Sequence, residues 1–367
     1  MHGESLIILW IVILLLIAAG ILFWLYRPGR LTAIHNRSAS DGKSGANLQA
    51  SDSAPAQIPY TTEVIESYVA EELKLAFGVS RFDYQIRDEH AAVLSQIDEA
   101  ADESVHQRDY FPRRPMLLPK LMQALNDPEV SRESLVKLIL EDPAIAGGVL
   151  QQANTAFYRV SPARVDNIDR AVWLLGTDGL KRIMATAIMQ PVFRLPKGYF
   201  DSFAPLTWEH AQRAAAAAER CSKHGGQSDP FVAQLLAVLE PLARIVIFRL
   251  TTEKYRESPN ILPRAEVFIR AMQRHSARVA LRIAAAWEMS DQSTNTLREQ
   301  AKRVSPETML PLSQAVYFAN LAATLAVLVS RNKITQHAAI NTLVEQGMPQ
   351  VDASALIETA LISHDPA

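Results

Sequence analysis

Residues 238–250 read VLEPLARIVIFRL, an apolar run broken by Glu240 and Pro241. Its reading decides the fold. From Arg244 to Leu250 it is β-branched enough to suggest a strand. Its neighbours argue the other way. Ala-rich stretches at 211–218 and 279–286 lie on either side, and nowhere does the chain show an alternating strand pattern or an Asn-Gly hairpin turn. The stretch therefore reads as buried helix. Pro241 is expected to end one helix or begin the next, with Glu240 at the junction, paired to Arg244 in the favourable i, i+4 order. Gln234, Glu240, Arg244 and Arg249 interrupt 231–250 too often for a membrane span.

Working outward, the helical pattern repeats. Ser131 is placed to cap a helix with Leu135, Leu138 and Ile139 on its apolar face, and Asp142 to cap the next, with Pro143 in its first turn. In NIDRAVWLLGTDGLKRIMATAIM (167–189), Gly176 stops one helix and Thr177 starts another. The pairs Asp127–Glu129 and Asp166–Asp169 read as capping and turn residues. The expected fold is all-α.

Composition limits the function. The 367 residues are 49% hydrophobic and 21% charged, with a net charge of −2. No basic patch with interleaved aromatics points to nucleic acid. The single cysteine, Cys221, excludes an intramolecular disulfide, and no Cys/His cluster has zinc spacing. Phosphate-loop, dinucleotide, nucleophile-elbow and His-Glu-x-x-His motifs are absent.

Leu6–Tyr26 is a charge-free apolar stretch long enough to cross a bilayer. The preceding MHGES has no Lys or Arg, unlike a secretory signal, whereas Arg27, Arg30, Arg37 and Lys43 follow. The positive-inside rule then puts residues 1–5 outside and the bulk of the chain in the cytoplasm. Residues 27–59, rich in Ser, Ala, Gly, Asn and Asp, read as a flexible tether. Residues 60–106 read as amphipathic helices that pack on the main domain or form a stalk, with Val64, Tyr68, Leu73 and Phe77 as the apolar positions of the first and Gly78 as its end. A helical domain spans 107–330, and residues 331–367 read as two further amphipathic helices.

Within that domain, FPRRPMLLPKLMQALNDPE, LVKLILEDPAI and QQANTAFYR, followed by the Leu-Gly helix pair of 167–184 and the Trp-x-His of LTWEHAQRAAAAAERCSK, resemble the HDOD domain, the HD-related output domain of bacterial signalling proteins. The resemblance runs from about Phe111 to Asn320 and implies an all-helical fold related to HD phosphohydrolases. Catalytic HD proteins hold metal through His and Asp side chains to polarise a phosphoryl oxygen and generate hydroxide. Carried over residue by residue, the first histidine is His210. The His-Asp pair falls on Glu240–Pro241, before a turn-like Leu242-Ala243-Arg244. The next histidine is His275. The tandem His-His position holds LREQAK, and the final aspartate position is Asn320.

This remnant set leaves two histidines without acidic partners, and proline offers no ligand. The expectation is a non-catalytic regulatory module at the inner membrane, without cofactor or metal, acting through protein partners. The alternative is a divergent metal-dependent phosphohydrolase acting on a nucleotide or cyclic dinucleotide. A nucleotide receptor without turnover is the third reading, with Arg244 as the one basic residue placed near the remnant pocket.

Overall fold

The computed structural model describes residues 62–83, 85–102, 117–127, 129–154, 164–193, 195, 198–225 and 228–363. The expected span 6–26 and linker 27–59 lie outside the described residues. All described residues belong to one compact unit, and every regular element among them is helical.

The elements in chain order are α1 (Thr62–Phe77), α2 (Asp88–Asp102), α3 (Leu118–Asn126), α4 (Arg132–Leu140), α5 (Pro143–Ala153) and α6 (Ile168–Met189). They continue with α7 (Phe203–Gly225), α8 (Pro230–Glu257), α9 (Ala265–Ala286), α10 (Asp291–Lys302), α11 (Pro311–Ser330), α12 (Gln336–Glu345) and α13 (Gln350–Ile362). Short 3-10 turns occupy 190–193 and 306–308.

Local chemistry sets most of these boundaries. Gly78, at φ 67°, ends α1: its N–H donates to Leu75 O, and the N–H of Val79 donates back to Lys74 O. This paired closure needs a residue that tolerates the left-handed conformation. Ser131 Oγ accepts from the Ser134 N–H at 3.1 Å, and Asp142 Oδ1 from the Ile145 N–H at 3.3 Å, so both expected caps form. Gly176 interrupts α6 with φ 62° and ψ −179°, dividing it into two helical stretches as the sequence suggests. At the pair 166 and 169, however, the cap is Asn167, whose Oδ1 accepts from the Arg170 N–H at 2.7 Å. Asn154, in the QQAN motif, ties the end of α5 to the start of the next segment: its side chain donates to Val165 O and accepts from the Val165 N–H, both at 2.8 Å.

The core centres on α8, which packs against α7, α9, α6, α2 and α11. Here the expectation fails. Pro241 neither ends nor begins a helix, and 242–244 is no turn: α8 runs unbroken from Pro230 to Glu257. A helix-interior proline removes one hydrogen bond and costs about 3 kcal/mol or more. Neighbours on all sides of α8 outweigh that cost. Leu235, Leu239, Leu242, Ile245, Val246 and Ile247 are all buried, and each such side chain contributes about 1.5–3 kcal/mol over exposure. Residues 244–250 are helical for the same reason; their branched side chains are surrounded, not alternately wetted.

Two described helices, α8 and α11, are long and apolar enough to cross a membrane. In their most apolar windows, 89% and 78% of residues are buried within the protein. Both are core helices here.

The N-terminal helices belong to this core. Leu73, Ala76 and Phe77 of α1 are buried, and Phe77 joins an aromatic cluster with Phe200, Phe203, Phe248 and Phe268. α2 packs on α8 and α9, and His90 Nδ1 lies 3.0 Å from the Tyr255 hydroxyl.

Candidate functional site

α7, α8 and α11 bring three polar side chains to one point. His210 lies midway along the buried face of α7, Arg244 on α8 just past the proline, and Thr324 on α11. All three are buried, and all three point to a carboxylate the sequence reading did not single out: Glu72 of α1, only 1% exposed. His210 Nδ1 is 2.6 Å from Glu72 Oε1. Arg244 Nη1 and Thr324 Oγ1 donate to Glu72 Oε2 at 3.2 and 3.0 Å.

The outer partners complete the cluster. Arg244 Nη2 donates to Glu240 Oε1 at 3.3 Å, the expected intrahelical pair. His210 Nε2 faces Asn320 Oδ1 at 3.3 Å, while the Asn320 amide N–H donates to Val316 O at 3.2 Å. Both ring nitrogens of His210 are therefore within hydrogen-bond distance of a side-chain oxygen. Two carboxylates, Glu72 and Glu240, flank the Arg244 guanidinium. Burial opposes ionisation of Glu72, but the charges of His210 and Arg244 and the hydrogen bonds outweigh it and hold the carboxyl down at about 2.

The structure therefore unites four of the sequence-derived positions, His210, Glu240, Arg244 and Asn320, through Glu72. Pro241 contributes only packing. His275 is elsewhere, in a second network: its Nε2 lies 2.6 Å from Asp98 Oδ1 on α2, and Arg278 donates to its Nδ1 at 2.8 Å. An arginine only donates, so Nδ1 is the acceptor and the proton sits on Nε2. Arg274 also donates to Asp98, at 2.6 Å.

This corrects the expectation that the histidines lack acidic partners. Each has one, and both come from the N-terminal helices. A signal existed. In α1, Glu72 is four residues after Tyr68 and four before Ala76, inside the buried stripe. In α2, Asp98 follows Leu94 by four and Ile97 by one. A charge on an apolar helical face asks for a buried partner. The reading instead placed Val64 on that stripe, and Val64 is exposed.

The donor set does not fit a divalent metal. Both His210 nitrogens are directed at oxygen acceptors, Pro241 has no donor, and the Arg244 guanidinium shares the same carboxylate, placing positive charge where a cation would bind. Among the described residues, no group of three or more His, Cys, Asp and Glu side chains could hold a metal ion.

A third network adjoins the first. Glu209, beside His210, is buried and binds Arg213 Nη2 at 2.7 Å and Arg331 Nη2 at 2.5 Å. Arg213 Nη1 donates to Ala360 O at 2.5 Å and Leu361 O at 3.1 Å, satisfying carbonyls at the C-terminal end of α13. A cavity of about 290 Å³ lies nearby, lined by Arg220, Cys221, Gln314, Phe318 and Asp352 among others. Burial pushes the Cys221 thiol up to about 12, which disfavours its thiolate.

An all-helical domain with a buried histidine cluster between its central helices defines a class. A family model, the HDOD domain, matches residues 111–303, more than half the chain, and the chain belongs to that family. His210, Glu240, Pro241, Arg244 and His275 fall within the match; Glu72, Asp98 and Asn320 fall outside it. Among solved structures, the chain is similar to a Shewanella amazonensis SB2B protein named "Putative metal-dependent phosphohydrolase", at 15% identity, TM-score 0.51, covering 75% of this chain and 100% of that one. It is also similar to an HDOD domain protein with unknown function from Geobacter sulfurreducens, at 17% identity, TM-score 0.48, covering 76% and 90%. A third is a Marinobacter aquaeolei VT8 protein named "Putative signal transduction protein", at 19% identity, TM-score 0.47, covering 79% and 69%. At these identities the likeness to the first shows the fold alone. The comparison with curated proteins returns no match.

Proposed function

We propose that the protein is a non-catalytic regulatory module on an HDOD scaffold. It is held at the bacterial inner membrane by residues 6–26, with the bulk of the chain in the cytoplasm, and acts by binding partner proteins. The observation that carries this reading is the Glu72–His210–Arg244 cluster. Metal-dependent hydrolysis needs histidine lone pairs, a bridging carboxylate and room for water. Here both nitrogens of His210 are engaged by side-chain oxygens, the carboxylate is bound by an arginine, and the His-Asp position is Glu240–Pro241 in an unbroken helix. Membrane attachment rests on the apolar stretch and the basic residues after it. For partner contact, Trp173 on α6 and Leu140 on α4 expose apolar surface on two helices that pack together.

Proximity labelling in cells tests this reading. The full-length protein should label a reproducible set of proteins, and deleting residues 1–26 should disperse that set. Unchanged labelling by the deletion variant, or phosphodiester hydrolysis by the purified full-length protein that is lost in His210→Ala, contradicts it.

A further inference from the structure

The cluster around Glu72 has the construction of a ligand site. Its donors come from three helices, α7, α8 and α11, and its acceptor from a fourth, α1. Three donors meet the two oxygens of one planar carboxylate: His210 Nδ1 on Oε1, and Arg244 Nη1 with Thr324 Oγ1 on Oε2. Two of the three donors have further support. Glu240 holds the other arm of the Arg244 guanidinium, and Asn320 faces the far nitrogen of His210. Nothing in this support comes from α1. Without Glu72, Arg244 would still have Glu240 and His210 would still have Asn320, while one nitrogen of each and the Thr324 hydroxyl would lose their partner.

We infer that His210, Arg244 and Thr324 form a buried oxyanion site for a planar carboxylate, and that Glu72 is its built-in ligand. The remnant metal centre of the scaffold has become an anion site filled in cis. Arg244, three residues past Pro241, supplies the permanent charge. His210 places a ring nitrogen against one carboxylate oxygen, and Thr324 a hydroxyl against the other. Selectivity follows from shape, because each oxygen of a carboxylate meets its own donors, whereas chloride meets only part of the set.

The ligand is part of α1, and α1 is itself anchored through Leu73, Ala76 and Phe77. Glu72 is thus presented at high effective concentration, and free carboxylates do not displace it. The site joins the helix nearest the proposed tether to the HDOD core by ligation as well as by packing. This inference rests on the same cluster that carries the non-catalytic reading, and the salt comparison below can fail without altering partner labelling.

Chemical rescue tests it. Full-length Glu72→Ala is melted in sodium formate and in sodium chloride at equal ionic strength, beside the wild type and the Glu72→Ala/Thr324→Val double variant. With formate tenfold above its dissociation constant, the Glu72→Ala midpoint should rise by roughly 3 °C over chloride. The double variant should show a smaller rise and the wild type none. If Glu72→Ala is unstable in chloride, recovery of folded protein from formate buffer alone is the supporting result. Equal midpoints in the two salts, failure to fold in both, or an equal formate response in the wild type overturns the inference.

Discussion

Replacing Glu72 with glutamine keeps the side chain's shape and removes its charge. The buried Arg244 guanidinium then loses a counter-ion, His210 loses its carboxylate partner, and one end of the amide turns an N–H towards a donor. Breaking a buried ion pair from one side costs about 3–5 kcal/mol. The depressed ionisation gives an independent figure: lowering a carboxyl from 4.5 to about 2 corresponds to on the order of 3 kcal/mol. Its sign is fixed. The folded state holds the ionised form more tightly than the unfolded chain does. The stabilisation is therefore complete above pH 4.5 and is lost as pH falls towards about 2. Urea denaturation of the full-length protein in non-denaturing detergent, repeated across that pH range, is the assay. Glu72→Gln should unfold at clearly lower urea near neutral pH, and the gap to wild type should close on acidification. A gap below about 0.5 kcal/mol near neutral pH, or one that does not change with pH, refutes the account of the cluster.

Other perturbations should rank by burial. Asp98 is one-third exposed beside His275 and Arg274, so Asp98→Ala should cost only about 1 kcal/mol by the same denaturation assay. Gly148→Ala should destabilise by about 1–3 kcal/mol, because a Cβ there would meet Ala187 O at 2.7 Å. Pro241→Ala should raise the unfolding midpoint, since about 3 kcal/mol of helix penalty is removed and only part of it is returned as a cavity.

The sequence carried the fold because its signals are local. Ser131, Asp142, Gly78 and Gly176 each fix a boundary through their own backbone or nearest turn, and a reader of the chain sees them. Pro241 misled for the complementary reason. Its local preference is to end a helix, and burial on every side of α8, a property of the assembled core, overrides it. The site was half legible. His210, Arg244, Glu240 and Asn320 could be placed by resemblance, and the i, i+4 pair by spacing. Glu72 lies 138 residues from His210 and 252 from Thr324, so no spacing rule connects them. What the sequence did show was a carboxylate inside an apolar stripe, and that was the signal to follow. His275 illustrates the limit of carrying positions over one by one, because its partners are Asp98 and Arg278 and it is in a different network from His210.

The central claim is that Glu72 occupies the cluster of His210, Arg244 and Thr324 as an anion, leaving no place there for a metal ion. Elemental analysis of full-length protein, purified without chelators from cells supplemented with iron, manganese and zinc, tests it most directly. The expected result is substoichiometric metal that is unchanged in His210→Ala. One or more metal ions per chain, lost on His210→Ala, would contradict it.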